Sequence, residues 1–231
     1  MAMYKICGLN LYMSPRYEEL LDRAAPFLSD GDKADIKIEL ADDAVADLSE
    51  RTGLSLALAE YQLSCAEFCK ALLAHGGFVL HASAVLYNGG VYLFSAPSGI
   101  GKSTHAKLWV KNIKGAEIIN DDKPAIRIID GVPYAFGTPW CGSGYQRLNA
   151  CGTVKALYFL RRADFNFVKP MDKTKTPYLL FESMMRPDDD SDMDALFFAL
   201  QGFLSKVQVL SLDCNTEDEA AITALLAVEE L

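Results

Sequence analysis

The chain contains no run of about 18 apolar residues, the length a membrane-spanning helix needs. Its first thirteen residues, MAMYKICGLNLYM, lack the basic start and long apolar stretch of a secretory leader. A membrane partner is not expected, and the sequence reads as cytoplasmic. Basic residues are also scarce: 22 Lys and Arg against 31 Asp and Glu give a net charge of −9. A surface that follows a nucleic-acid backbone needs clustered cations. The basic doublets here, such as Arg161-Arg162, are isolated, which argues against nucleic acid. No C-x-x-C pair occurs among the six cysteines, so they read as reduced thiols. Cys65 and Cys69, four residues apart, share a helix face and read as packing rather than as zinc ligands. Repeats and low-complexity tracts are absent too, which argues against repeat architectures.

What is present suits an ordinary globular α/β protein. The 231 residues are 51% apolar and 23% charged, enough for one sizeable core. Residues 3–12 read as a strand and 14–28 as a helix, with Ser14 as N-cap and Pro15 at its first position. ADIKIEL (34–40) alternates like a half-buried strand, and 54–77 reads as a long helix closed by Gly76-Gly77. Two β-rich runs flank Asn88-Gly89-Gly90, and two more flank Asp130-Gly131, so each pair predicts a hairpin. A helix over 102–112 and strands over 116–120 and 153–162 follow. The remainder predicts helices at 174–185, 192–204 and 216–228, with a strand at 206–212. The acidic run RPDDDSDMD (186–194) reads as a solvated loop leading into a helix N-terminus. Residues 1–75 read as an N-terminal α/β subdomain or an integral part of one domain, and 76–231 as the core.

SAPSGIGKSTH (95–105) is the most informative stretch. It matches the phosphate-binding pattern G-x-x-x-x-G-K-[ST], except that Ala96 stands at the first glycine. Such loops work because successive backbone N–H groups line a concavity and a helix N-terminus adds positive potential. Gly99 and Gly101 supply the positive φ this requires. Ala96 meets the demand for a small residue, provided its φ is negative. Ala96, Pro97, Ser98, Gly99, Ile100, Gly101, Lys102, Ser103 and Thr104 are the candidate nucleotide-binding residues. Lys102 would reach the β- and γ-phosphates, and the Ser103 hydroxyl would bind Mg²⁺.

Phosphoryl transfer also needs a metal partner and a group that positions the nucleophile. Asp121 and Asp122, at the end of an apolar strand, are the candidates: one takes a hydroxyl proton while the other holds Mg²⁺. His81 lies in the strand before the first hairpin. His105, one turn into the loop's helix, reads as a surface or supporting residue. In YAFGTPWCGSGYQRLN (134–149), a glycine-rich turn carries Trp140, a candidate pocket lining, and Arg147, a candidate for neutralising developing phosphate charge. No feature lowers the pKa of Cys141 toward that of a nucleophile.

LHAS around His81, APSGIGKST, INDDKPAIR and GTPWCG occur in this order. Over about residues 75–162 the chain thereby resembles small bacterial proteins related to HPr kinase/phosphorylase, which share a fold superfamily with phosphoenolpyruvate carboxykinase. The resemblance implies an α/β fold whose mixed β-sheet core carries antiparallel hairpins around a P-loop, like the HPr kinase C-terminal domain. It implies that Gly99, Gly101, Lys102 and Ser103 serve phosphate and Mg²⁺, that Asp121 is the general base, that Asp122 is its metal-associated or His-paired neighbour, and that His81 stands beside the active site. The long HPr kinase signature after the aspartate pair has no counterpart here, and neither do the oxaloacetate-binding arginines of carboxykinases. Similar small relatives occur in peptide-modification gene neighbourhoods, where some phosphorylate a serine of a short peptide.

The expected activity is an ATP- (or GTP-) and Mg²⁺-dependent kinase acting on a hydroxyl of a peptide, small protein or small molecule. Two other readings stay open: a nucleotide-binding regulatory protein without turnover, and a small carboxykinase-like enzyme acting on a metabolite. A homo-oligomer is also left open.

Overall fold

The structure, a computed structural model, describes residues 2–185 and 190–229. The strand expected over 3–12 is a hairpin of β1 (Ala2–Ile6) and β2 (Leu9–Met13). Its turn holds Cys7 at φ 55° and Gly8 at φ 76°, the left-handed pair that matches the twist of the flanking strands. Cysteine seldom adopts that conformation, so only Gly8 signalled the turn. The helix expected over 14–28 is shorter: α1 (Glu18–Ala24), then one 3-10 turn to Phe27. Ser14 does not cap it. The N–H groups of Arg16 and Tyr17 donate instead to the buried carboxylate of Glu60. A contact across more than forty residues therefore set a boundary that local capping signals placed earlier.

β3 (Leu28–Ser29) and β4 (Ile36–Ile38) complete a four-stranded sheet in the order β3-β1-β2-β4. The long helix expected over 54–77 is α3 (Leu56–Leu73), with the Ser55 hydroxyl accepting from the Leu58 N–H as its N-cap. Before it stands α2 (Asp42–Thr52), which the sequence reading passed over, closed by Gly53 at φ 72°. α3 packs against α1 and β4.

The larger sheet begins with β5 (Gly77–Val79), β6 (Ala82–Tyr87) and β7 (Gly90–Ser95), followed by α4 (Lys102–Asn112) and β8 (Glu117–Asn120). Then come β9 (Ala125–Ile129), β10 (Val132–Phe136), β11 (Cys151–Arg162) and β12 (Phe167–Pro170). The chain ends with α5 (Thr176–Glu182), α6 (Asp190–Leu204), β13 (Gln208–Cys214) and α7 (Glu219–Glu229). Both expected hairpins form, β6–β7 and β9–β10, on turns whose residues sit at positive φ. The strand order is β5-β9-β10-β11-β7-β6-β8. β11 is parallel to β7 along one edge; its other edge pairs antiparallel with β10 at its start and parallel with β13 beyond. The sheet is thus mixed, with β7, β11 and β13 ending on the same side. Residues 186–189 of the acidic run lie outside the described residues, and α6 begins at Asp190.

Three apolar clusters hold this together. One joins Tyr4, Leu11, Phe27, Phe68 and Leu72 to Val79, Ala125, Phe136 and Trp140, so the first 75 residues share a core with later strands. The others cover the two faces of the larger sheet, around Leu93, Leu157 and Phe203 and around Phe94, Trp109 and Tyr158. All six cysteines are unpaired, with Cys65 and Cys69 buried in the first cluster. Among the described residues, no helix is long and apolar enough to cross a membrane.

Candidate active site

β7 leads into the loop and α4 starts at Lys102. Ala96 packs its methyl in the cluster of Phe94 and Trp109 and is absent from the residues at positive φ. Gly99 (φ 79°) and Gly101 (φ 128°) do occupy that region, and a Cβ on either would meet nothing within 4 Å. Backbone conformation, not crowding, therefore calls for glycine at these two positions. The first N–H groups of α4 have no partner within the helix and carry the positive end of its dipole. A cavity of about 580 Å³ at this end is lined by loop and helix residues Ser98 to Thr104 (without Ile100) and Lys107, facing His81, Asp121, Asp122 and Gly142–Gly144. Lys102 is buried, with Nζ donating to the Ala96 carbonyl at 2.9 Å. Burial lowers its pKa, and the charge of Asp122 opposes that shift.

Arg162 was passed over in the sequence as half of an isolated doublet. Its Nη2 and Nε donate to the carbonyls of Gly99 (2.5 Å) and Ile100 (3.1 Å), bracing the loop from the end of β11. Arg161 beside it grips the buried carboxylate of Asp213.

Asn120, also missed, builds the turn that presents the two aspartates. Its fully buried side chain accepts from the N–H groups of Asp122 (2.9 Å) and Lys123 (2.6 Å), an Asx turn. Its Nδ2 donates to the carbonyls of Thr138 and Trp140. Ser83 Oγ donates to the Asp121 carbonyl, and Ser95 Oγ to that of His81. Buried serines and Asn120 thus tie together three separate stretches of sequence.

The paired carboxylates differ. Asp121 accepts from the Gly142 N–H at 2.6 Å through Oδ1. Burial raises its pKa, outweighing that hydrogen bond, and the charge of Asp122 adds to the rise. For Asp122, burial acts upward, but the His81 hydrogen bond and the Lys123 ammonium hold it well below the usual carboxylate range. Both its oxygens are engaged: Oδ1 by His81 Nε2 at 3.2 Å and Oδ2 by Lys123 Nζ at 2.8 Å. In this structure Asp122 is therefore the His-paired neighbour. Mg²⁺ takes one or two protein oxygens beside phosphate and water. Ser103, exposed in this cavity beside the aspartates, fits that requirement.

Gly142–Gly144 form the wall over Asp121. A Cβ on Gly144 would stand 2.7 Å from Asp121 Oδ2, while the backbone there is not at positive φ. Gly144→Ala is therefore expected to displace the Asp121 carboxylate and slow turnover by roughly tenfold or more, since small misplacements of reacting groups are costly. Thermal unfolding of the same variant should change little, because Gly144 is exposed.

Two residues expected at the cavity stand elsewhere. Trp140 is fully buried, stacked on Phe68 at 4.5 Å, with Nε1 donating to Ser64 Oγ. Arg147 does not line the cavity either. Its Nε, Nη2 and Nη1 donate to the carbonyls of Arg23, Asp22 and Tyr145, fastening the 141–147 loop to α1. His105 is not at the surface. It is buried, accepts from Trp109 Nε1, and burial lowers its pKa to about 4, which keeps it neutral. Cys141 is buried with its thiol pKa raised, unlike a nucleophile.

Behind the loop lies a second cavity of about 540 Å³, lined by Ile100, His105, Leu108 and the ends of β11 and β13. Ligands of α/β sheets gather where parallel strands end. A lysine at a helix start, two glycines at positive φ and a carboxylate whose pKa burial raises thus share one cavity.

No family model matches the chain. No curated protein matches it either. Among solved structures it is similar to the Hpr(Ser) kinase/phosphatase from Coxiella burnetii, with a TM-score of 0.37 and 11% identity, over 66% of this chain and 95% of that one.

Proposed function

We propose that this chain is an ATP- and Mg²⁺-dependent kinase that transfers the γ-phosphoryl group to a hydroxyl, with a serine of a peptide or small protein as acceptor. The observation that carries this reading is one cavity that holds both halves of the chemistry: the loop with Lys102, and the buried Asp121 carboxylate opposite it. Triphosphate lies along residues 96–104, with the nucleoside in the cavity behind Ile100 and Leu108. Lys102 leaves the Ala96 carbonyl to meet phosphate oxygens, a favourable exchange for a desolvated ammonium. Bound Mg²⁺ would be held by Ser103 and phosphate, and it supplies charge neutralisation at the transferring group.

The acceptor hydroxyl gives its proton to Asp121 Oδ2 as its oxygen bonds to the γ-phosphorus. The bond from that phosphorus to the β,γ-bridging oxygen breaks, and ADP leaves. Gly142 holds the other carboxylate oxygen, and the raised pKa makes Asp121 a better proton acceptor than an exposed aspartate. His81 and Lys123 keep Asp122 ionised beside it.

Labelled ATP with Mg²⁺ and serine peptides tests the reading, and a phosphorylated acceptor is the expected product. ATP binding with no transfer to peptide, protein or metabolite would instead favour a regulatory nucleotide-binding protein. Transfer to metabolites alone would favour the carboxykinase-like reading. Lys102→Ala should weaken ATP binding by at least about tenfold in a calorimetric titration, the loss expected of one buried charged contact.

A further inference from the structure

A residue far from the motifs reaches the loop that meets the Asp121 carboxylate. Arg23, in the last turn of α1, is 5% exposed. Its guanidinium lies over the ring of Tyr145 at 4.1 Å and that of Tyr61 at 4.7 Å. Glu19 accepts from its Nε and Nη2 at 2.8 and 2.5 Å. Nη1 is directed elsewhere, to the Cys141 carbonyl at 2.6 Å and, more distantly, to Cys141 Sγ and the Gly142 carbonyl. The Tyr61 hydroxyl donates to the same Cys141 carbonyl at 2.8 Å.

That carbonyl and the Gly142 N–H belong to one peptide group. In a planar trans peptide the C=O and N–H point in opposite directions, so holding the oxygen fixes where the hydrogen aims. The hydrogen goes to Asp121 Oδ1 at 2.6 Å. A cation and a hydroxyl on the carbonyl also polarise the peptide and strengthen its N–H as a donor. The loop needs the restraint, because Tyr145 sits at φ 53°, strained for a residue with a side chain, and its hydroxyl is tied back to Glu19.

We propose that Arg23, assisted by Tyr61, is a positioning residue for Asp121, acting through the single peptide group between Cys141 and Gly142. The proposal deepens the kinase reading by adding α1 and α3 to the site, and it rests on that reading only for its effect on turnover. Loss of the grip frees the peptide between Cys141 and Gly142 to turn, which weakens the Gly142 hydrogen bond to Asp121 and shifts its carboxylate. The other groups facing Asp121 are the backbone N–H of Gln146, Asp122, Cys141 and the cavity's Lys102, Lys107 and His81, which the substitutions below leave in place.

Arg23→Met keeps an apolar stem between the two tyrosines and removes the donors. In carboxyl- and amide-labelled protein at one neutral pH, the Asp121 carboxyl resonance, assigned with Asp121→Asn, should move in Arg23→Met, and the Gly142 amide proton should move upfield. kcat should fall roughly tenfold with the KM for ATP unchanged, as expected for a displaced reacting group. Arg23→Lys should restore part of each change. Tyr61→Phe alters no charge and should produce smaller shifts in the same direction, and it serves if Arg23→Met does not fold. Arg16→Met, which removes an ion pair to Glu60 in the same part of the chain, should lower stability without moving either resonance. An unmoved Asp121 carboxyl resonance and Gly142 amide in a folded Arg23→Met or Tyr61→Phe protein overturns the proposal. A wild-type chain that phosphorylates nothing overturns the kinase reading instead, and the two resonances still report the grip.

Discussion

Asp121→Asn is expected to lower phosphoryl transfer by on the order of a hundredfold to a thousandfold, the usual effect of losing a general base. The amide has the shape of the carboxylate and can still accept from the Gly142 N–H, so the loop wall should stay in place. It cannot take the acceptor proton. ATP affinity should change by less than about twofold, because the phosphate cradle of Gly99–Thr104 is untouched, and this split separates a base from a binding residue. The pH dependence should follow. Burial raises the Asp121 pKa, so wild-type turnover is lost as pH falls through a value above the ordinary aspartate range. That acid limb should vanish from the residual activity of the variant. Single-turnover assays across pH measure both effects. Unchanged turnover would remove the base assignment.

The second large effect is on stability. Trp140→Ala should cost about 3–5 kcal/mol, the range for deleting a buried tryptophan. Trp140 is fully enclosed, stacks on Phe68 of α3 at 4.5 Å, and donates to Ser64 of the same helix. Its carbonyl accepts from Asn120, whose side chain shapes the turn of the two aspartates. The substitution therefore loosens α3 and the site together. Trp140→Phe keeps a ring against Phe68 and loses the hydrogen bond to Ser64, a loss of about 1 kcal/mol. Urea unfolding followed by circular dichroism gives both values. The wild type should unfold in a single transition, because Phe68 and Trp140 lie in one cluster that spans both sides of residue 75. Two well-separated transitions would argue that the N-terminal residues form an independent unit.

The elements that were legible in the sequence are those whose cause is local. Asn88-Gly89 and Asp130-Gly131 carry their turn conformation in their own letters, and both hairpins form there. The helix over 102–112 matches α4 to the residue, since Gly101 cannot extend it backwards at φ 128°. β5 and β12 were not read, being three and four residues long and held by pairing with distant strands. The start of α1 was misplaced because the carboxylate that meets its leading N–H groups comes from α3.

The same division runs through the site. Glycine spacing and Lys102 signal a tight loop leading into a helix because backbone φ and a helix start are properties of adjacent residues. The adjacency of Asp121 and Asp122 was equally visible. How each is held was not: His81 and Lys123 engage Asp122, while backbone N–H groups, that of Gly142 among them, meet Asp121. Arg147 and Trp140 were assigned to the cavity by residue type, and folding turned one to α1 and the other to α3. Arg162, Asn120 and Arg23 gave no local signal, since each acts on backbone atoms that only the fold brings within reach. The sequence by itself determined a loop of small residues ahead of a helix that starts at Lys102, and a pair of adjacent carboxylates. The tertiary structure decided which carboxylate His81 and Lys123 hold and which meets the Gly142 N–H, because hydrogen bonding and burial, unlike residue type, are set by neighbours remote in the chain.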